Sequence, residues 1–253
     1  MSRERERELE EAVVDAWPAA ERLEIDGWLL RASGGPTHRG NSVATLAAGC
    51  ALDLRGRIEK MEGWYRERGK PPMVQVGPCA APEGLDAALA ARGYREEGAA
   101  IMAVASAESV GAASAAALES HVERAPGEPW WSIAAGSSRF AAAPDIFFGF
   151  IARLEGRCRF VTTYVDGTPA AICLCITSGP RLGIYAMLVV PAFRRRGAAR
   201  ATLHAAAKSA LSEGQNELYL LVEGENVAAR ALYAQCGFRD VYRYHYRVRS
   251  DAT

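Results

Sequence analysis

Leu188-Val-Val-Pro-Ala-Phe-Arg-Arg-Arg-Gly-Ala-Ala-Arg-Ala201 joins the end of an apolar run to the start of an alanine-rich helical pattern. The first N–H groups of a helix have no partner within it, and the helix dipole places partial positive charge at the same end. A loop that exposes such groups from Arg195 to Ala199 therefore suits a diphosphate, because Gly197 permits close approach and Ala199 keeps the next turn narrow. The alternative is a turn at which three arginines are simply solvated.

The residues on either side of this loop predict a strand before it and a helix after it. Leu182–Val190 is a nearly continuous apolar run of strand length, typical of a strand buried in the middle of a sheet. Downstream, apolar residues recur at helical spacing until Gly214 ends the pattern. The loop spacing also occurs at Arg95-x-x-Gly98-x-Ala100, but a short apolar run follows there instead of a helix. Context therefore distinguishes the two copies.

A second strand and helix follow the first pair. Glu217–Glu223 reads as a strand, and Asn226 then stands where a helix should begin, able to accept a hydrogen bond from the N–H two or three residues on. One stripe of this helix contains Ala229, Leu232, Tyr233 and Cys236. Gly237-Phe238 ends the helix, and 241–248 is predicted to be a final strand.

Together, these two segments resemble the GNAT superfamily of N-acetyltransferases. Arg194-x-x-Gly197-x-Ala199 is similar to the loop that holds the pyrophosphate of acetyl-coenzyme A, and Asn226-x-x-Ala229-x-x-Leu232-Tyr233-x-x-x-Gly237-Phe238 to the other characteristic segment. The match covers roughly 160–248, with strands at 160–165, 169–177 and 182–190 in the expected order. The resemblance implies an α/β (α+β) fold with a mixed central sheet flanked by helices. It also implies transfer of acetyl from acetyl-CoA to a primary amine by direct attack in a ternary complex.

The resemblance assigns the cofactor contacts to two regions. Backbone N–H groups near Leu188 to Val190 would polarise the acetyl carbonyl, and the two strands flanking the cleft would splay to admit the pantetheine arm. The cofactor-binding residues are expected to be Leu188, Val189, Val190, Arg194, Arg195, Arg196, Gly197, Ala198, Ala199 and Asn226.

Two residues are candidates for catalysis. By resemblance, Tyr233 lies near the cofactor sulfur and protonates the departing thiolate, whereas helical spacing alone also fits a core tyrosine facing the sheet. The base is harder to assign, because 182–190 contains no carboxylate. Glu223, just past the following strand, is the nearest candidate by motif. The alternative is that Glu223 or Glu225 simply interacts with the positive end of the next helix.

Composition limits the other function classes. Thirty basic residues balance thirty acidic ones among 253, and the pI near 6.9 gives no general attraction to nucleic acid or anionic lipid. No apolar run approaches the roughly 20 residues of a membrane-spanning helix, and the charged opening lacks a signal-peptide core, so a cytoplasmic protein is expected. The six cysteines form no C-x-x-C pair, which favours buried thiols over disulfides or metal ligands, and no metal is expected. Motifs of zinc proteases, hydrolases, nucleotide triphosphatases and dinucleotide enzymes are missing.

The first hundred residues predict a pattern that echoes the second half. Strands at 24–31 and 41–46, joined by a turn region at 34–36, precede a helical stripe from Leu54 to Tyr65. A strand at 73–76, a helix at 85–91 and a strand ending near Val104 complete a β-β-α-β-α-β order. No Arg-x-x-Gly-x-Ala loop occurs near Asp53, at the start of the comparable helix. We therefore expect a degenerate GNAT-like domain at 1–108 and a catalytic domain at 109–253, the alternative being a coincidental α/β pattern.

Three functions remain at this point. The leading hypothesis is an N-acetyltransferase acting on a small-molecule, peptide or protein amine, as a monomer or homodimer without nucleic-acid or membrane partners. Its rival is a non-catalytic acyl-CoA-binding or interaction module. A third possibility is a nucleic-acid patch at Arg194–Arg196 and Arg200, which the neutral overall charge disfavours. The aromatic pairs at 130–131 and 147–148 are more typical of a core than of a substrate wall.

Overall fold

The protein is described by a computed structural model covering residues 2–35, 37–47, 49–113, 117–137 and 143–249. The chain divides into two compact units: residues 1–101 with 242–253, and residues 102–241. The expected domains, 1–108 and 109–253, stay a prediction. They differ from the compact units mainly in the assignment of the final strand.

The first unit is a sheet packed against helices, and both contribute residues to its core. Its elements are α1 (Arg3–Asp15), β1 (Glu21–Ile25), β2 (Trp28–Ala32), β3 (Val43–Ala44), α2 (Leu54–Arg66), β4 (Met73–Val76), α3 (Leu85–Ala91) and the start of β5 (Arg95–Ser106). The second half of β11 (Arg239–Val248) pairs antiparallel with β4, giving the order β1-β2-β3-β4-β11. Trp28, Ile58, Met61, Val74 and Leu89 belong to its buried core. The predicted helices at 54–65 and 85–91 and the strand at 73–76 are confirmed.

Two strand predictions in the first unit were wrong. The run 24–31 is a hairpin, because Asp26 and Gly27 both have positive φ, +45° and +82°, and turn β1 back into β2. An Asp-Gly pair is a strong signal for such a turn. The predicted strand 41–46 shortens to Val43–Ala44. Asn41 instead organises the preceding loop, since its side chain accepts from the N–H of Ser33 at 2.9 Å and donates to the carbonyl of Thr37 at 2.9 Å.

The Asp26 carboxylate holds the loop that leads into α2. It accepts the N–H groups of Cys50, Ala51 and Leu52 at 2.9, 3.0 and 3.0 Å. Arg57 donates to the same carboxylate at 2.7 Å. These bonds, led by those from Ala51 and Cys50, lower the pKa of Asp26 to about 2. The backbone N–H groups of residues 50–52, just before α2, are therefore already bonded to a carboxylate of the chain itself.

The second unit repeats the same order of elements. After α4 (Ala107–Ala112) and β6 (Ser120–Glu123) come α5 (Glu128–Ala135), α6 (Pro144–Arg153), β7 (Cys158–Val165), β8 (Thr168–Ser178), β9 (Arg181–Val189), α7 (Ala198–Ser212), β10 (Glu217–Glu223) and α8 (Val227–Gln235). The strands lie in the order β10-β9-β8-β7-β6, with β9 and β10 parallel and the other pairs antiparallel. From β7 onward the order is β-β-β-α-β-α-β, as it is from β1 to β5. The predicted strands at 160–165, 169–177, 182–190 and 217–223 are confirmed within a few residues at each end.

The aromatic pairs of the second unit are divided between core and surface. Trp130 is fully buried and Phe147 is 8% exposed, whereas 47% of Phe148 is exposed. Trp130 packs edge-to-face on Phe160 at 5.1 Å and donates its indole N–H to the carbonyl of Cys173 at 3.1 Å. The core interpretation therefore holds for Trp130 and Phe147. Within the described ranges, no helix combines the length and apolar character needed to cross a membrane.

We expect Asp26→Asn to lower the free energy of unfolding at neutral pH, because a neutral amide offers one acceptor oxygen where the carboxylate offers two. The folded-state pKa is depressed from 3.8 to about 2. The stabilisation is therefore present above the unfolded pKa and is lost as the pH falls through about 2. Urea titrations across this range should show wild type and variant converging in acid. Glu83→Gln, on an exposed residue of the same unit, is the control, and a pH-independent difference would contradict the assignment.

Candidate active site

The centre of the second unit is a fork between two parallel strands. β9 and β10 pair only from Arg181 opposite Glu217 to Ile184 opposite Leu220, although both strands continue. Beyond these four residue pairs, residues 186–189 of β9 are only half-buried, whereas the first half of the strand is fully buried. The family resemblance predicted that these strands splay apart, and the pairing of β9 with β10 ends after Ile184 and Leu220.

A bulge in β9 lies next to this fork. The pairing of β8 with β9 shifts register between Ile172 and Leu174, which face Leu188 and Tyr185. Ala186 lies in the extra length of β9 and has a φ of +50°, a conformation that is rare for a residue with a side chain. Such strain is concentrated at functional sites. Nothing in the apolar run 182–190 signalled it, because an alanine in a strand resembles its neighbours.

The register also decides where the predicted N–H donors of β9 point. The N–H of Val190 donates to the carbonyl of Ala170 at 2.9 Å and is already used within the sheet. In an antiparallel ladder, bonded and non-bonded residue pairs alternate. The N–H of Leu188 therefore faces β8, and that of Val189 faces the other edge, toward β10 beyond the point where the two strands part. Of Leu188, Val189 and Val190, only Val189 presents its N–H to the fork.

The loop after β9 presents the start of α7. A short 3-10 turn at Pro191–Phe193 precedes Arg194, and both Arg195 and Gly197 have positive φ, +62° and +86°. Gly197 is the N-cap of α7, and no side chain caps the helix among the described residues. The N–H groups of Ala198 and Ala199 are at this uncapped end, where a helix binds anions well.

Apolar packing fixes this loop on the sheet. Ala198 is 1% exposed and forms a cluster with Val165, Ala170 and Ala171, against which Val189 and Phe193 pack. On the next turn of α7, the Thr202 hydroxyl lies 2.8 Å from that of Thr163 on β7. The first turn of α7 is thus held rigidly beside the end of β9. A small residue at position 198 is required for this close approach.

The four arginines of this region have different environments. Arg196 pairs with Asp166 at 2.8 Å, with both side chains largely exposed. Arg200 donates to Gln235 at 3.0 Å and so links α7 to α8. Arg194 and Arg195 are exposed, and neither makes an ion pair with the described residues. The positive charge at the loop is therefore only partly compensated.

Asn226 and Glu223 lie at the end of β10. The Asn226 side chain accepts the N–H of Ala229 at 3.1 Å, which confirms the predicted helix cap. Glu223 is the exposed last residue of β10, and its carbonyl accepts the Asn226 N–H at 3.0 Å. α8 buries none of its nine residues, and Val227 in its first turn is 72% exposed. A helix this open leaves room for another molecule to pack against it.

Tyr233 faces the sheet from α8 and is half-buried. Its ring packs edge-to-face on Phe238 at 5.8 Å. Burial, with the nearby Cys173 thiol, raises the pKa of Tyr233 to about 12. The Cys173 thiol is itself neutral, because a contact of 3.5 Å with Cys175 and burial raise its pKa. The phenol therefore keeps its proton at neutral pH. Cys173 lies on β8 where the register with β9 shifts, and Tyr233 is therefore close to the bulge.

Sequence reasoning missed a pair of buried tyrosines at the base of the fork. The hydroxyls of Tyr185 and Tyr219 lie 3.0 Å apart, and the side chains are 6% and 0% exposed. A Cβ added at Gly183 would lie 2.5 Å from the Tyr219 ring, so the glycine lets that ring cross β9. Gly183 inside an otherwise apolar strand was the available signal. In the described ranges, no three His, Cys, Asp or Glu side chains are placed to hold a metal.

Residues 5–247 match the family model described as Probable histone acetyltransferase Rv0428c C-terminal, and the chain belongs to this family. The chain is also 26% identical to the Uncharacterized N-acetyltransferase YobR of Bacillus subtilis, over 96% of this chain and 98% of the relative. These matches confirm the predicted GNAT family, and the protein is an acetyltransferase.

Solved structures confirm the predicted fold. A GCN5-related N-acetyltransferase from Kribbella flavida has a TM-score of 0.71 at 12% identity, covering 97% of this chain and 95% of its own. A tandem GNAT protein from the clavulanic acid biosynthesis pathway has a TM-score of 0.60 at 15% identity, covering 77% and 69%. The repeated order of elements agrees with a tandem arrangement.

We expect Gly183→Ala to destabilise the protein by about 1–3 kcal/mol, because the new methyl group overlaps a buried ring that has no space to move. Thermal unfolding and urea titration measure the effect. Gly63→Ala is the control, since a Cβ there meets nothing within 4 Å and helix propensity favours alanine. Equal stability of the two variants would show that Tyr219 yields easily.

Proposed function

We propose that this acetyltransferase takes acetyl from acetyl-CoA and delivers it to a primary amine by direct attack in a ternary complex. The observation that carries the proposal is the uncapped start of α7, fixed next to the fork between β9 and β10. The loop before α7 directly follows β9, so a molecule whose anionic group binds at the loop can extend along the unpaired edge of β9. Acetyl-CoA supplies a diphosphate for the first feature and an activated thioester for the second.

The diphosphate fits the loop for electrostatic reasons. The N–H groups of Arg196 to Ala199 and the partial positive charge of α7 favour an anion, and Gly197 leaves the backbone accessible. Arg194 and Arg195 add positive charge that the described part of the chain leaves without ion pairs. Asn226 and the uncovered face of α8 would border the pantetheine arm on the other side.

The Val189 N–H is the group we assign to the thioester carbonyl. It faces the fork, where pairing with β10 has ended, so it can donate to an oxygen that enters there. A fixed backbone donor in a desolvated site stabilises the negative charge that develops on this oxygen. Leu188 and Val190 would contact the cofactor through their half-buried surfaces rather than through their N–H groups.

Tyr233 would stabilise the departing sulfur mainly by donating a hydrogen bond. With the Tyr233 pKa at about 12 and an alkyl thiol near 8.5, complete proton transfer is uphill by roughly 5 kcal/mol. An unperturbed tyrosine would require only roughly 2 kcal/mol. Burial thus keeps the proton on the Tyr233 hydroxyl and makes its full transfer unfavourable. This environment therefore favours a hydrogen bond from the hydroxyl to the developing thiolate.

The acceptor amine must lose a proton before it attacks. An alkylammonium with pKa near 10.4 pays roughly 4–5 kcal/mol for this at neutral pH. Glu223 stays the candidate base by motif, although it is exposed at the end of β10 and also lies beside the start of α8. Because the family model is named for a probable histone acetyltransferase, lysine peptides belong in the acceptor panel with polyamines and small amines.

The first unit supports the proposal of a single cofactor site per chain. Its loop before α2 holds the same place in the element order as the loop before α7. There the backbone N–H groups of residues 50–52 are engaged by Asp26. This arrangement fits the hypothesis of a degenerate GNAT-like half that has lost its cofactor loop.

Gly197→Glu should weaken coenzyme A binding at least about 30-fold, equivalent to ~2 kcal/mol, through bulk and like charge at the diphosphate position. Calorimetry measures the affinity. Gly214→Glu is a matched control, because Gly214 follows the other end of α7 with a similar φ of +81° and open space around it. Both variants carry the same backbone strain, so equal loss of affinity would argue against the loop.

Tyr233→Phe should lower kcat about 10–100-fold with little change in coenzyme A affinity, since only the hydroxyl that faces the developing thiolate is removed. Thiol release across the amine panel measures turnover. Tyr164→Phe, on β7, controls for the loss of a phenol elsewhere in the unit. Unchanged turnover would remove Tyr233 from the mechanism. Tight binding without turnover of any acceptor by wild type would favour a non-catalytic acyl-CoA-binding module.

A further inference from the structure

We propose that the first unit binds a small monocarboxylate, such as acetate, through the buried guanidinium of Arg31. This site is separate from the acetyl-transfer site and does not depend on the proposed function. Three observations carry the inference: the burial of Arg31, a guanidinium nitrogen without a hydrogen-bond partner, and the lack of a described carboxylate to balance its charge.

The guanidinium of Arg31 is only partly engaged, although the residue is 1% exposed. Its Nε donates to the Ser42 carbonyl at 2.9 Å. Its Nη2 donates to the Ser42 hydroxyl at 3.1 Å and to Oε1 of Gln75 at 3.3 Å. The buried Nη1 donates to none of the described residues. Because buried donors are nearly always paired, Nη1 indicates an acceptor that the chain itself does not supply.

The charge of Arg31 is also unbalanced, unlike that of the other buried arginine in this unit. Arg57 forms an ion pair with Asp26 at 2.7 Å. Glu10 is the buried carboxyl group of the unit as far as the structure describes it, but it accepts the N–H of Cys79 at 3.1 Å. The electrostatic interactions of Glu10 and of Arg31 do not include each other. No described carboxylate therefore neutralises Arg31.

The groups that do act on Arg31 are two phenols, those of Tyr65 and Tyr246. The Tyr65 hydroxyl donates to the backbone carbonyl of Arg31 at 2.9 Å. Burial raises the pKa of both phenols, so both are neutral at pH 7. Arg39 places a second positive charge near Tyr246. Burial lowers the pKa of Arg31, but a guanidinium stays protonated in proteins. The surroundings of Nη1 are therefore positive.

Strand register places these groups on one face of the sheet. Leu29 lies opposite Ala44, Ala44 opposite Gln75, and Gln75 opposite Tyr246. Directly paired residues share a face, and Arg31, two residues beyond Leu29, shares it too. The alternate residues of β2, β3 and β4 belong to the apolar core on the other face. Arg31, Gln75 and Tyr246 thus form one polar cluster behind that core.

A small monocarboxylate matches the cluster in charge and shape. One negative charge balances one buried guanidinium, whereas a phosphate dianion would leave excess charge in a buried place. The planar guanidinium directs its N–H groups in a fixed fork that suits a carboxylate better than a spherical anion. Because Arg31 is almost fully buried, a bound acid would be enclosed by the chain, which favours an acid of few carbon atoms.

Equilibrium binding of acetate tests the assignment, with chloride and the neutral analogue acetamide as comparison probes. Acetate that replaces chloride at constant ionic strength should raise the thermal midpoint of wild type in a saturable way, because it binds the folded state. Calorimetry should give one acetate per chain at this site, and acetamide should have no effect. Arg31→Gln should weaken acetate binding at least tenfold. Arg55→Gln, at an exposed arginine of α2 paired with Glu59, is the control and should change it less than twofold.

The opposite results are equally defined. Wild-type acetate affinity in Arg31→Gln overturns the inference, as does equal stabilisation by chloride or acetamide, or an absence of saturable binding to wild type. If Arg31→Gln does not fold, wild type supplies a second readout. Nuclear Overhauser effects should connect the methyl group of bound acetate to the Tyr246 ring, assigned with Tyr246→Phe, and their absence also overturns the inference. Since none of these measurements involves coenzyme A or turnover, the proposed function stands or fails separately.

Discussion

The arrangement of the second unit depends on the early end of hydrogen bonding between two parallel strands. β9 and β10 share only four residue pairs, and the bulge at Ala186 changes the direction of β9 just beyond them. Backbone donors inside a protein need partners. A strand that turns its N–H groups toward an unpaired edge in an otherwise buried sheet therefore provides a binding surface for a molecule that can accept those bonds.

The residues around the separation of β9 and β10 determine what lies beside it. Small residues at 170, 171 and 198 bring the first turn of α7 close against the sheet, so that the uncapped end of the helix lies beside the end of β9. Burial keeps the Tyr233 phenol protonated at neutral pH, because it raises the pKa of Tyr233 to about 12. The charged side chains of the region, by contrast, are at its rim. Near the separation of β9 and β10, the hydrogen-bond donors are thus neutral backbone N–H groups and the Tyr233 hydroxyl. The charged groups are the exposed arginines of the loop before α7.

Sequence predicted most of the strand and helix order because apolar runs and glycine stops are local signals. Asn226 was recognised for the same reason, since a helix cap of this kind depends on a single residue. The hairpin at Asp26 and Gly27 had a local signal that a continuous apolar reading concealed. The bulge at Ala186 had no usable signal, and the contact of Tyr185 with Tyr219 had only an indirect one, the glycine at 183. Both depend on register between strands, which one chain segment does not contain.

The path of β11 has a consequence for synthesis of the chain. Residues 245–248 pair with β4 of the first unit, and Asp86 holds this strand through Arg247 at 2.6 Å and His245 at 2.9 Å. During translation, the sheet of the first unit must wait for residues 245–248 to leave the ribosome. This unit is therefore begun before the second unit but completed after it, and β4 lacks its partner strand until then. Loss of residues 245–248 is accordingly expected to affect the folding of the first unit.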